Sequence, residues 1–316
     1  MHRKLKTPFL TASATAFAIL CSAAPQVRAW NHGGHMLVSQ IAMNRLDNMN
    51  SPARAQIAEI LKDLPNVKHP DVPYSAVTAA CWMDDIRGIN GLDQPSWHYV
   101  DVKCGEEIGR ASTPNTLTAI AFCQNVIRQS STTPAARRNR AVALARLLHL
   151  VGDIHQPLHC LENWRGGTRF PISGIPGLDK ELDRNGDNAD DTPLPAVYQK
   201  LHAYWDGAYR YDVVDNAITK LYDLGNSKTP DHAKTQQFAT LIYRDYLKAT
   251  PAELSEAAPE KWVAEGSALA CDFATRRAYR KRKVAKTYVT KTHDIACERI
   301  ALAGHRLATM LNELLP

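Results

Sequence analysis

The sequence predicts an all-α fold, a single mainly helical domain, and three observations carry that prediction. Residues 35–46, 52–64, 115–129, 139–151, 235–248 and 295–313 place apolar side chains three and four positions apart, the period of a helix face. The stretch from Ala141 to Gly152 is apolar nearly all round, as expected of a central helix with no solvent side. Strand signals are scarce: one short alternating run at 97–102 is the best of them, and no internal repeat appears. Residues 30–316 have the length of one large domain or two small ones, and the continuous helical periodicity favours one.

In chain order, the first element stands outside that fold. Arg3, Lys4 and Lys6 precede an uncharged apolar stretch at 8–21, and Val27-Arg28-Ala29 closes the segment on modest side chains. That order is the pattern of a secretory signal over residues 1–29, too short to span a bilayer. Leu20 is too bulky for the position before a lipidated Cys21, so cleavage after Ala29 is expected, and with it a secreted or periplasmic protein. No later stretch has the length and apolarity of a membrane span, and no stable protein partner is implied. Cleavage removes Arg3, Lys4, Lys6 and Arg28 and no acid, taking the formal charge from +6 to +2. Charge alone therefore does not announce a nucleic-acid binder.

The helices at 35–46 and 52–64 lead to a segment carrying Asp84, Arg87 and His98. The helices at 115–129 and 139–151 follow, the second running into Asp153 and ended by Pro157. Residues 165–195, rich in Gly, Pro, Asp and Asn, read as a long loop, either functional or a plain surface insertion. The basic run from Arg276 to Lys283 reads as a solvated helix face or a nucleic-acid contact. Six cysteines follow the signal segment: Cys81, Cys104, Cys123, Cys160, Cys271 and Cys297. In an oxidising compartment they allow up to three disulfides of undetermined pairing, and no CxxC pair argues for metal.

The chemistry concentrates in His149-x-x-x-Asp153 followed by His159. Residues four apart share a helix face, so both side chains reach one ion. Pro157 lets His159 return from the next segment. His202-x-x-x-Asp206 repeats the geometry on another helix. Imidazole with carboxylate is the donor set of a zinc site that stays open to water. One such pair is a weak signal; two, with His159 between them in apolar surroundings, are a strong one. His155, on the other side of the turn, reads as a packed or supporting histidine. His35, Asp84 and His98 are further candidate ligands, each ordinary when taken alone.

Longer stretches then carry a resemblance. They are Trp30 with His35 five residues on, Cys81 to Arg87 (CWMDDIR), Trp97 to Asp101 (WHYVD), Leu148 to His159 (LHLVGDIHQPLH) and Leu201 to Asp206 (LHAYWD). Weaker echoes lie at Trp262 to Ser267 and Ala301 to Leu307. Together they resemble the trinuclear-zinc nuclease family of nuclease P1 and nuclease S1, across nearly all of residues 30–316. The resemblance implies the helical fold shared by zinc nucleases and zinc phospholipases C, and a cofactor of three Zn2+ ions. Carried over by motif, Asp84, His98, His149 and Asp153 hold the first ion, and His159, His202 and Asp206 the second. The freed amine and carbonyl of Trp30, with His35 and a bridging Asp153, hold the third.

The same resemblance implies phosphodiester hydrolysis of single-stranded DNA and RNA to 5′-nucleotides, with 3′-nucleotides as further substrates. Asp84, Arg87 and Asp153 would serve the chemistry, Arg87 by neutralising phosphoryl charge or, alternatively, by pairing with Asp84 or Asp85. Tyr99 would stack a base, unless it packs in the core, and Asp101 would bond that base's edge. The family's Gly-Gly-Asn turn is altered here: Gly166-Gly167 precedes Thr168, leaving Asn185 or Asn188 to replace the amide. Two rivals remain, a zinc phospholipase C-type enzyme and a non-catalytic zinc-binding secreted protein. Asp206 in place of that lipase's Glu, and a second site with only three protein ligands, favour the nuclease.

Overall fold

A computed structural model describes residues 30–316 except 69, 111, 130–131, 177–198 and 277–282. The expected signal at 1–29, Asn185, Asn188 and most of the basic run lie outside the described residues. Ten α-helices are described: α1 (His32–Asn48), α2 (Ala53–Leu61), α3 (Trp82–Asp85), α4 (Thr116–Arg128), α5 (Pro134–Asp153), α6 (Leu201–Trp205), α7 (His232–Tyr246), α8 (Pro251–Ser255), α9 (Pro259–Leu269) and α10 (Lys286–Leu314). Strands β1 (Pro171–Ile172) and β2 (Gln199–Lys200) pair antiparallel, as do β3 (Tyr211–Val214) and β4 (Ala217–Lys220). The mainly helical prediction stands.

Local chemistry sets the helix ends. Asn31 accepts from the Gly34 amide to start α1, and Asn115 with Thr118 forms a capping box on α4. Thr133 caps α5 ahead of Pro134, so that helix begins five residues before the predicted start at 139; its first turns are polar and exposed. The helix ends at Asp153, four residues short of Pro157, and a 3-10 turn at Pro157–Cys160 carries His159 back. Helices α8 and α9 went unanticipated; the Thr250–Glu253 capping box and Pro259 were their sequence signals.

The core is organised around α5, buried from Ala143 to Asp153 except at Arg146, and around the long α10, which lies against α1, α5 and α7. The α1–α10 crossing is close because Gly304 faces Ile41: a Cβ there would stand 2.5 Å from the Ile41 Cγ2.

Two expectations are corrected, and a third is narrowed. The alternating run at 97–102 is no strand: Pro95–His98 is 3-10, and the extended piece after it makes three scattered backbone bonds to separate segments, Val100 N–H to His159 C=O, Thr116 N–H to Tyr99 C=O and Glu162 N–H to Val102 C=O. The pleat is lost because both Trp97 and His98 turn inward to different neighbours. The stretch at 165–195 is not loop throughout, since β1 clamps its near end against β2 beyond it. Of the up to three disulfides allowed, the described residues form one, Cys104–Cys271; Cys81, Cys123, Cys160 and Cys297 are buried free thiols on separate elements.

Candidate metal centre

His149 and Asp153 occupy the last turn of α5, His98 the 3-10 turn at Pro95–His98, His35 the first turns of α1, and Asp84 the short α3. All five are buried, none more than 1% exposed. Their atoms converge. His98 Nδ1 lies 3.0 Å from Asp153 Oδ2 and 3.1 Å from His149 Nε2, and the latter two are 3.3 Å apart. His35 Nε2 lies 3.4 Å from Asp153 Oδ1 and its ring stacks on His149 at 3.8 Å. Asp84 joins His35 and His149 in a second potential ligand group. A third unites His159, His202 and Asp206: the two Nε2 atoms stand 3.1 Å apart, and His202 Nε2 is 3.4 Å from Asp206 Oδ1.

These spacings fit zinc. A tetrahedral ion with Zn–N bonds of about 2.0–2.1 Å has neighbouring donor atoms about 3.3 Å apart. The far sides of the rings are fixed accordingly. His149 Nδ1 donates to the Ala80 carbonyl (2.7 Å), His159 Nδ1 to the His98 carbonyl (2.5 Å) and His202 Nδ1 to the Gly166 carbonyl (2.6 Å). Each bond selects the tautomer whose Nε2 lone pair faces its group, the arrangement that supports metal-bound histidine. His35 Nδ1 and Nε2, His98 Nε2 and Asp153 Oδ1 are buried without a hydrogen-bond partner, a costly state for a purely structural cluster.

The electrostatics agree. Burial, then the Arg87 guanidinium, pulls His98 down to about 4, and burial with the neighbouring His149 holds His35 well below its ordinary value, so both are neutral donors. Burial alone would raise the Asp153 carboxyl, but His149 and His98 outweigh it and keep it ionised. Burial likewise opposes protonation of His149, and the Asp153 charge overcomes it. A proton shared in that pair stands where a cation would compensate the carboxylate better.

Trp30 begins the described chain beside this cluster. It is fully buried and its indole donates to the Gly152 carbonyl (3.0 Å), next to Asp153. A Cβ on Gly152 would lie 2.9 Å from His35 Nδ1, and one on Gly34 would lie 2.7 Å from the Trp30 Cβ. Both glycines are therefore needed for Trp30 and His35 to seat against α5.

Arg87 Nε bonds Asp84 Oδ1 at 2.9 Å, as its alternative reading required, while its buried Nη2 has no hydrogen-bond partner. Tyr99 and Asp101 are half-buried on the segment that follows His98. His155 is the packed histidine expected, held between the Val151 carbonyl and Arg306.

Two residues escaped the sequence reading. Gln156, buried inside the central motif, donates to Asp206 Oδ1 at 2.7 Å and accepts from the Leu158 amide, tying the α6 carboxylate to the α5 turn. Its position between Asp153 and His159 was the available signal. Arg165 is exposed and acts electrostatically on both Tyr99 and Asp101, lowering each against the upward push of burial. It belongs to a run of four left-handed residues, Trp164 (φ 59°), Arg165 (49°), Gly166 (58°) and Gly167 (83°), that brings the Gly166 carbonyl to His202. A side chain at Gly166 would collide with the Leu158 carbonyl, and left-handed Trp and Arg are uncommon enough to mark a constrained turn.

Comparison with known proteins agrees with this geometry. The family model described as S1/P1 Nuclease matches residues 30–316. Endonuclease 1 of Arabidopsis thaliana is 26% identical over 309 residues, covering 94% of this chain and 90% of that protein. Nuclease S1 of Aspergillus oryzae is 23% identical, with 90% of this chain and 91% of that one aligned. Nuclease P1 of Penicillium citrinum is 22% identical, with 90% and 97% aligned. A match over the whole described chain, with the buried His/Asp cluster at its centre, makes this protein a member of the S1/P1 nuclease family, hydrolases of phosphodiester bonds.

Proposed function

We propose that the protein is an exported nuclease of three zinc ions that cleaves single-stranded DNA and RNA to 5′-nucleotides and removes phosphate from 3′-nucleotides. The observation that carries this reading is the set of donor separations between 3.0 and 3.4 Å, repeated in two buried groups about the end of α5. Asp84, His98, His149 and Asp153 would hold one ion, His159, His202 and Asp206 another, and Trp30, His35 and Asp153 the third. Bound zinc supplies a nucleophilic water at neutral pH and polarises the phosphoryl oxygens.

The chain's own groups do the rest. Asp153, with one oxygen toward His98 and His149 and the other toward His35, ties two ion sites together. Arg87, steadied through Nε, has Nη2 left to neutralise phosphoryl charge as it grows. Tyr99 offers a flat face to an unpaired base, Asp101 bonds that base's edge, and Arg165 draws in the adjoining phosphate. A base that must lie flat on one ring cannot be paired, which accounts for a single-strand preference. The signal at 1–29 has a chemical purpose here: cleavage before Trp30 makes the amine that can bind metal. The test is zinc analysis of the processed protein with hydrolysis of single-stranded DNA, RNA, 3′-AMP and phosphatidylcholine micelles, each with and without chelator. Three zincs and chelator-sensitive turnover of nucleic acid are expected; turnover of lipid alone, or of nothing, would sink the reading.

A further inference from the structure

Residues 108–152 contain six arginines and not one Asp or Glu, in a protein whose formal charge after signal removal is only +2. Five of the six, Arg128, Arg137, Arg138, Arg140 and Arg146, sit on the α4–α5 hairpin. Arg137 pairs with Asp63, and the other four form no ion pair among the described residues. A concentration of uncompensated cations on one hairpin is an electrostatic footprint for a polyanion.

The same hairpin is grooved. A pocket of about 310 Å³ runs along the α4–α5 seam, bordered by Phe122 and Val126 on one helix, Asn139 and Val142 on the other, and Gln129 and Arg146 at the ends. Phe122 is 50% exposed, an unusual position for a Phe, and Trp97 stands edge-on to it with ring centres 5.7 Å apart. The Arg146 guanidinium lies 4.9 Å from the Trp97 ring centre. Arg138 and Arg140 flank Asn139, and Arg128 precedes Gln129. An exposed aromatic, two amides able to bond base edges and flanking arginines are the components of a single-strand subsite. Trp97 adjoins His98, so the groove and the metal centre share one segment.

We infer that the α4–α5 groove is an accessory subsite for single-stranded nucleic acid, stacking a base on Phe122 and holding the backbone through Arg138 and its neighbours. It rests on the nuclease reading and extends it from the scissile bond to the length of the strand. The test is binding of cleavage-resistant phosphorothioate oligo-dT, three and twenty nucleotides long, to the zinc-loaded protein, alongside cleavage of a dinucleotide. Phe122→Ala should weaken the 20-mer about tenfold. Arg138→Gln should flatten the slope of log affinity against log salt by about 0.7. Both variants should bind the trinucleotide and cleave the dinucleotide as the parent does. Unchanged 20-mer affinity and salt slope in the double variant would overturn the groove. A parent that cleaves no nucleic acid would instead defeat the nuclease reading, and the binding comparison would still decide the groove.

Discussion

Asp153 and His155 lie two residues apart at the end of α5, and their side chains enter two different polar interiors. On the Asp153 side, donor atoms of His35, His98 and His149 crowd together, and several have no hydrogen-bond partner. On the His155 side the polar groups answer one another except at the Arg299 Nη2, which is buried without a hydrogen-bond partner. Arg306 bonds the His155 Nε2 (3.1 Å), both Glu265 oxygens (2.7 and 2.8 Å) and the Glu253 carbonyl, while Arg299 bonds Glu265 (2.9 Å) and the His155 carbonyl. Burial, then Arg299 and Arg306, keeps His155 neutral, so it accepts from Arg306. Both clusters are buried and both are rich in charge. What separates a binding site from a structural one is which groups remain unanswered.

Substitution should break the two sides differently. Asp153→Ala has the largest expected effect. It should strip metal from the paired ion sites and lower turnover by more than the roughly 100-fold that loss of a supporting partner costs. A variant with full zinc content by elemental analysis would refute the assignment. Next, a Met placed ahead of Trp30 removes the free amine, and one zinc with most of the activity should go while the fold stays intact by circular dichroism. Full activity would remove the N-terminus from the ligand set. On the other side, Glu265→Gln leaves Arg299 and Arg306 buried without a carboxylate. Stability should fall by about 3–5 kcal/mol, seen as a Tm lower by roughly 10 °C, with zinc content unchanged. Loss of zinc at unchanged Tm would show that the two sides are not separate.

How much of this contrast was legible beforehand follows from its range along the chain. The helices of the core announced themselves through local periodicity, and the i, i+4 pairs His149/Asp153 and His202/Asp206 followed from helix geometry alone. His35, Asp84 and His98 are brought in from separate elements, so only the resemblance could group them. The Arg306–Glu265–Arg299 cluster joins α9 to α10 across more than thirty residues, and no local pattern marks it. Arg165 was hidden for a different reason: its place beside Tyr99 depends on a left-handed turn that the preceding Trp164 gives no hint of.

The mildest prediction concerns two carboxylates whose pH dependence should run in opposite directions. Burial, reinforced by Glu162 and opposed by Arg165, raises Asp101 from 3.8 to about 6. Its native state therefore binds a proton more tightly than its unfolded state does, and the stability this group contributes declines as pH rises from about 4 through 6. Burial would also raise Glu265, but the hydrogen bonds and charges of Arg306 and Arg299 prevail and lower it. Its contribution is present above the ordinary carboxylate value and is lost as pH falls below it. Asp101→Asn should accordingly raise Tm by more at pH 7.5 than at pH 4, while Glu265→Gln should lower Tm by more at pH 7.5 than at pH 4. Melting curves of the parent and both variants at the two pH values check this. Because Asp101 is partly exposed, its shift should be the smaller, a few degrees at most. A free-protein stability gain from Asp101→Asn, joined to weaker substrate binding, would place Asp101 with the unanswered groups around Asp153. A loss at both pH values would place it with Glu265, as part of the scaffold.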